Sequence, residues 1–111
     1  MMQTMTAPRA TVIRPNGHFN AANAADFQRY LTAEVTQATH DCVVVNLEQV
    51  ESMDSAGLMV LVHGLRVAQS LGKSFHLCSV APSIRIIFEL TQLDSVFEIF
   101  DSPVAFEAAI A

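Results

Sequence analysis

Apolar residues recur along this chain at two periods. Short β-branched or aromatic runs, suited to strands, alternate with longer stretches whose apolar positions fall at helical spacing. Thr11-Val12-Ile13-Arg14 predicts a strand, stopped by Pro15-Asn16-Gly17. Asn-Gly favours a hairpin because both residues tolerate positive φ. His18-Phe19-Asn20 is too short to fix a return strand, and a bulge or bend fits equally well. Asn23 is placed to cap a first helix, with Asp26 in its first turn. Phe27, Leu31, Val35 and Ala38 form that helix's apolar stripe, with Tyr30 beside it. A strand from Cys42 to Leu47 follows, and then a second helix carrying Leu58, Leu61, Val62, Leu65 and Ala68. Leu71-Gly72-Lys73 reads as its end, with glycine in the left-handed cap position.

Phe75 to Val80 predicts the next strand. Pro82 opens a third helix, where its missing N–H costs nothing. Ile84, Ile87 and Phe88 supply the buried side of that helix, which fades near Thr91-Gln92. Val96 to Phe100 is a last strand, and a final helix starts at Asp101-Ser102-Pro103, with Val104, Phe106 or Glu107, and Ile110 along it. Met1 to Pro8 is weakly patterned and reads as a short arm or partial edge strand. The expected organisation is an arm over residues 1–10 and one domain over 11–111. Such alternation implies an α/β fold with right-handed crossovers: a mostly parallel sheet of four to five strands with about four helices.

In sheets of this kind functional groups gather at the carboxyl ends of the strands. Met53-Asp54-Ser55-Ala56-Gly57-Leu58 lies at one of them, as the junction into the second helix. A serine hydroxyl there meets unpaired backbone N–H groups and the positive end of the helix dipole, which favour negative charge. Two readings stay open. Either Asp54 or Ser55 is simply a helix cap, or the position tolerates and recognises a phosphate. Just beyond it, Leu58-Met59-Val60-Leu61-Val62 is apolar on all sides. Met59 and Val60 either pack on a neighbouring helix or form a partner-docking face beside Ser55.

Composition narrows the class. A chain of 111 residues, 51% hydrophobic and 15% charged, supports one core and is not disordered. Six Lys+Arg against eleven Asp+Glu give a net charge of -5, with no basic cluster. That argues against nucleic acid and against an anionic membrane surface as partners. No apolar run approaches the roughly 20 residues that span a bilayer. Met1 to Arg9 lacks the order of a secretory signal. A cytoplasmic protein is the expectation, with Cys42 and Cys78 as two thiols and not a disulfide.

The search for catalytic chemistry returns no constellation. Gly72-Lys73-Ser74 matches the tail of a phosphate-binding loop, but Val67 stands at its first glycine and the segment enters a strand where a helix is needed. A hydrolase elbow at Ser55 would need glycine at Met53, and His63 lies two turns along the helix. His18, His40, His63 and His76 share no metal-ligand spacing with one another or with Cys. No catalytic residue, metal or cofactor is expected.

Val43-Val44-Val45-Asn46-Leu47 followed by Met53-Asp54-Ser55-Ala56-Gly57-Leu58 resembles the core of STAS domains, specifically bacterial anti-sigma factor antagonists. Ile13 to Asn20, Gly72-Lys73, Cys78 to Pro82 and Leu93 to Phe97 are similar to further family segments, so the resemblance runs from Thr11 to the C-terminus. There are two departures. Only about ten residues precede Thr11 where the family opens with a full strand. That strand is then short, missing or supplied by another chain, which leaves a homodimer open. Asn20 stands where the family often has Asp.

The resemblance implies a binding module with Ser55 as phosphoacceptor. The partner is an anti-sigma factor of the serine-kinase type, and a PP2C-type serine phosphatase resets the switch. It places Asn20, Met53, Asp54, Ser55, Gly57 and Met59 in the partner-binding set. The alternative is a constitutive scaffold or small-ligand-binding STAS module in which Ser55 only caps the helix.

Overall fold

The computed structural model describes residues 2–7 and 10–110. Its first strand, β1 (Met2–Ala7), runs antiparallel to β2 (Ala10–Pro15), paired from Met2↔Pro15 to Ala7↔Ala10. The stretch read from sequence as an arm or partial edge strand is thus a full edge strand within the chain. Met1, Pro8 and Arg9, also assigned to that arm, lie outside the described residues. A short β3 (Gly17–Phe19) leads into α1 (Ala24–Gln37), β4 (Cys42–Asn46), β5 (Val50–Met53) and α2 (Ser55–Ser70). The chain continues through β6 (Ser74–Cys78), α3 (Pro82–Leu90), β7 (Glu98–Phe100) and α4 (Pro103–Ile110).

The main sheet has the order β1-β2-β4-β6-β7, parallel throughout except for β1. Each crossover steps the same way across it, so right-handed connections put α1, α2 and α3 on one face. Strand alternation then sorts the side chains. Ile13, Val43, Val45, Phe75 and Leu77 join Phe27, Leu31, Leu58, Leu61, Ile84 and Phe88 in the larger core. The opposite face carries Ala10, Val44 and Cys78 beneath Phe106 of α4, with Val12, Cys42, Phe100 and Ile110 around them. Phe106 lies 5.4 Å from Phe100 and 5.7 Å from His76, ring centre to ring centre.

Two local features hold α1 and α2 together. A Cβ on Gly64 would stand 2.8 Å from Leu31 Cδ2, so glycine lets the two helices approach without displacing that side chain. At the helix ends, Lys73 Nζ donates to the carbonyls of Val35 and Ala38, both at 2.8 Å, placing a cation on the negative end of α1. Gly72 adopts φ +71 just after α2, the left-handed position expected for it.

The second sheet was not legible. β3 pairs in parallel with β5, at His18↔Ser52 and Phe19↔Met53, and does not fold back on β2 as a hairpin. Gly17, at φ +96, redirects the chain away from β2. β5 also separates β4 from α2, so the Ser55 junction follows this short strand and not the long apolar one. The strand expected to reach Val80 ends at Cys78, because Ser79 takes φ +60. The strand expected from Val96 begins at Glu98. Asn23 precedes α1 but makes no side-chain cap bond to it. Cys42 and Cys78 are free thiols. The register Cys42↔Ser74 and Asn46↔Cys78 sets them four strand positions apart, about 13 Å, beyond disulfide reach.

Candidate functional site

β3 and β5 end side by side at Phe19 and Met53, both buried. Phe19 is anchored by Phe27 of α1, with ring centres 4.1 Å apart. From Phe19 the chain enters the loop 20–23, and from Met53 it enters Asp54 and α2. The backbone N–H of Asp54 donates to Phe19 O at 3.0 Å, joining the two exits.

Asp54 is the N-cap of α2. Its backbone is extended (φ -102, ψ -173), and its Oδ1 accepts from Ala56 N at 2.9 Å and Gly57 N at 3.1 Å. These are two of the N–H groups that a helix start leaves unpaired. The other carboxylate oxygen, Oδ2, accepts from Ala21 N at 3.3 Å. One side chain therefore caps the helix and holds the neighbouring loop. Because Asp54 fills the cap position, Ser55 becomes the first helical residue. Its side chain is exposed, and among the described residues its hydroxyl has no hydrogen-bond partner.

Gly57 closes the corner from below. A Cβ there would stand 2.9 Å from Phe19 O and 3.0 Å from both Phe19 Cβ and Met53 Cγ. The glycine of the Asp-Ser-x-Gly motif thus lets α2 start directly against the ends of β3 and β5. Met53 and Gly57, which the sequence places in the partner-binding set, are both buried, and they shape the corner.

Asn20 is half-buried and spends its side chain on the loop, its Oδ1 accepting from Ala22 N at 2.9 Å. Asn23 Oδ1 accepts from Asn20 N at 2.9 Å, and its Nδ2 donates to His18 O at 2.6 Å. Met59 lies one turn beyond Ser55 on the same helix face and is 52% exposed. Val60 is 3% exposed and belongs to the core. The apolar run at the start of α2 therefore divides, with Met59 outside and Val60 inside.

Three site neighbours carried no signal in the sequence. His18, Glu51 and Ser52 are exposed together on the outer side of the small sheet. His18 Nδ1 meets Ser52 Oγ at 2.6 Å, and its Nε2 lies 3.4 Å from Glu51 Oε2. They meet only because β3 and β5 pair across more than thirty residues of sequence. A shallow groove of about 420 Å³ lies elsewhere, between α1 and α2, lined by Gln28, Arg29, Thr32, Thr36 and His63. No residue of the Ser55 corner borders it. Among the described residues no three His, Cys, Asp or Glu side chains converge on a metal position. No helix among them is long and apolar enough to cross a membrane.

The STAS domain family model matches residues 1–105. A candidate anti-sigma factor antagonist of Thermotoga maritima is 31% identical over 91 residues, covering 82% of this chain and 80% of that protein. The anti-sigma-B factor antagonist of Staphylococcus aureus is 26% identical over 98 residues, 88% of this chain and 90% of that one. A crystal structure of a Thermotoga maritima protein of the same description superposes with a TM-score of 0.86 at 26% identity, covering 97% of this chain and 92% of that one. The chain belongs to the STAS domain family, among the anti-sigma factor antagonists.

Proposed function

We propose that this STAS domain binds a serine-kinase anti-sigma factor while Ser55 is unmodified, and that phosphorylation of Ser55 by that partner ends the complex. The observation that carries the reading is the division of labour at the start of α2. Asp54 satisfies the helix cap, which leaves the Ser55 hydroxyl exposed and uncommitted. A serine needed as the cap would have to give up that bond before it could react.

In the transfer, Ser55 Oγ forms a bond to the γ-phosphorus of ATP, and the bond from that phosphorus to the bridging oxygen of ADP breaks. The hydroxyl proton passes to a base of the kinase, which also supplies the nucleotide site. The domain contributes a presented hydroxyl and a helix N-terminus that accommodates the added charge. The product carries nearly two further negative charges beside Asp54, on a surface that also holds Glu51. A partner packed against Ser55 and Met59 then meets bulk, desolvation and like charge, and it leaves while the domain stays folded. A PP2C-type phosphatase restores the hydroxyl. In this reading the chain catalyses no reaction of its own.

The test is incubation with the cognate kinase and ATP. A mass increase of one phosphate is expected for the native chain and none for Ser55→Ala. Stoichiometric phosphate on Ser55→Ala would overturn the assignment.

A further inference from the structure

We propose that Asp54 is a positioning residue that fastens the loop 20–23 to the start of α2, and that charge placed on Ser55 undoes this fastening first. The inference rests on Ser55 being the phosphoacceptor. It adds a second moving part to the switch, with its own chemistry.

The loop is built mainly from its own side chains: Asn23 Oδ1 on Asn20 N, Asn20 Oδ1 on Ala22 N and Asn23 Nδ2 on His18 O. Among the described residues, the side-chain hydrogen bond that ties it to α2 is Asp54 Oδ2 with Ala21 N. Asp54 thereby sets where Asn20 stands relative to Ser55 and Met59. The carboxylate adds a side-chain tie to the backbone bond from Asp54 N to Phe19 O that joins the two stretches.

That carboxylate has three N–H partners of unequal strength. The two at the helix start are 2.9 and 3.1 Å long and lie at the positive end of the helix dipole, whereas the bond to Ala21 is 3.3 Å long and lies outside the helix. A phosphoryl group on the adjacent residue repels the carboxylate and competes with it for the N–H groups at the helix start. The bond to Ala21 is the longest of the three and lies outside the helix start, so it opens before the cap does. The loop then loses its register with α2, and Asn20 leaves the docking surface. Phosphorylation would thus act twice, by direct repulsion at Ser55 and by releasing a contact segment beside it.

Asp54→Asn separates the two jobs of the side chain. Asparagine caps helices as well as aspartate does, so its Oδ1 serves Ala56 and Gly57. Its Nδ2 is a donor and cannot accept from Ala21 N. The experiment measures backbone amide exchange by NMR in three chains: unmodified, Asp54→Asn, and one with phosphoserine installed at position 55 during translation. Ala21 exchange is expected to rise about tenfold in the second and third chains, the loss of one hydrogen bond to a charged acceptor. Gly57 is expected to stay protected in both. Phosphoserine in the Asp54→Asn background should add nothing further at Ala21. Unmodified-like exchange at Ala21 in either the phosphorylated or the Asp54→Asn chain overturns the proposal. Because the phosphate is installed without a kinase, this result is independent of the functional reading. That reading falls separately if the serine-kinase partner and ATP leave Ser55 unmodified.

Discussion

The carbonyl oxygen of Phe19 lies 2.9 Å from the point where a Cβ on Gly57 would stand. Backbone cannot retreat as a flexible side chain can, so Gly57→Ala must push α2 off the ends of β3 and β5. The clash with backbone is expected to cost about 2–3 kcal/mol, against a helix-propensity gain of about 1 kcal/mol. The net effect should be a melting temperature lowered by roughly 5–10 °C, read by circular dichroism. Partner affinity should fall further than stability alone explains, because Asp54 and Ser55 ride on the displaced turn. An unchanged melting temperature would mean that the close approach is not needed.

Ser55→Ala should leave stability within about 0.5 kcal/mol of the native chain, since it removes an exposed hydroxyl with no partner. Asp54→Ala should cost about 1 kcal/mol through loss of the cap. Urea unfolding distinguishes them. If Ser55→Ala proved the more damaging, the cap would have been assigned to the wrong residue.

Met59 and Val60 are neighbours with opposite surroundings, 52% and 3% exposed. Met59→Ala should be neutral in stability and weaken binding to the kinase partner, seen by calorimetric titration. Val60→Ala should cost about 1–3 kcal/mol, with affinity preserved in the folded fraction. Wild-type affinity for Met59→Ala would remove this methionine from the docking face.

His76 gives the fold an acid-sensitive limb. Burial beneath α4 lowers its pKa from the ordinary 6.5, while Glu98 acts in the opposite sense. The Nδ1 atom is 3.1 Å from Glu98 Oε1, off the line that a hydrogen bond to neutral imidazole needs. The unfolded chain therefore takes up a proton at higher pH than the folded one. Stability from this group is complete above about pH 6.5 and falls as the pH drops through the unfolded and then the folded value. Urea midpoints at pH 7.5 and 5.5 should differ less for His76→Gln than for the native chain. An equal difference would place the acid sensitivity elsewhere.

Much of the architecture was legible because its signals are local. Val43-Val44-Val45 needs two covered faces, and Phe27, Leu31 and Val35 need one, so a parallel layered sheet follows from pattern alone. β5 escaped because Val50 and Met53 enclose Glu51-Ser52, a four-residue pattern with no strand alternation. β3 escaped because its three residues are defined by a partner more than thirty positions away. The site divided in the same way. Asp54 and Ser55 could be read as cap and hydroxyl, but which did which depended on the helix beginning at Ser55. Gly57 was visible as part of a motif, while its reason, Phe19, was not. His18, Glu51 and Ser52 had no local signature, since a chance exposed histidine and a recognition residue look alike in sequence.

The two-stranded pairing of β3 with β5 is hydrogen-bonded apart from the five-stranded sheet. Its buried positions, Phe19, Val50 and Met53, answer to the core, whereas His18, Glu51 and Ser52 answer only to solvent or to whatever docks. Buried and solvent-facing roles thus fall to different residues of the same short strands. Outer positions can drift in charge and shape without disturbing the main-sheet register or the presentation of Ser55. Close paralogues within one cell could keep a common chassis and still address separate partners.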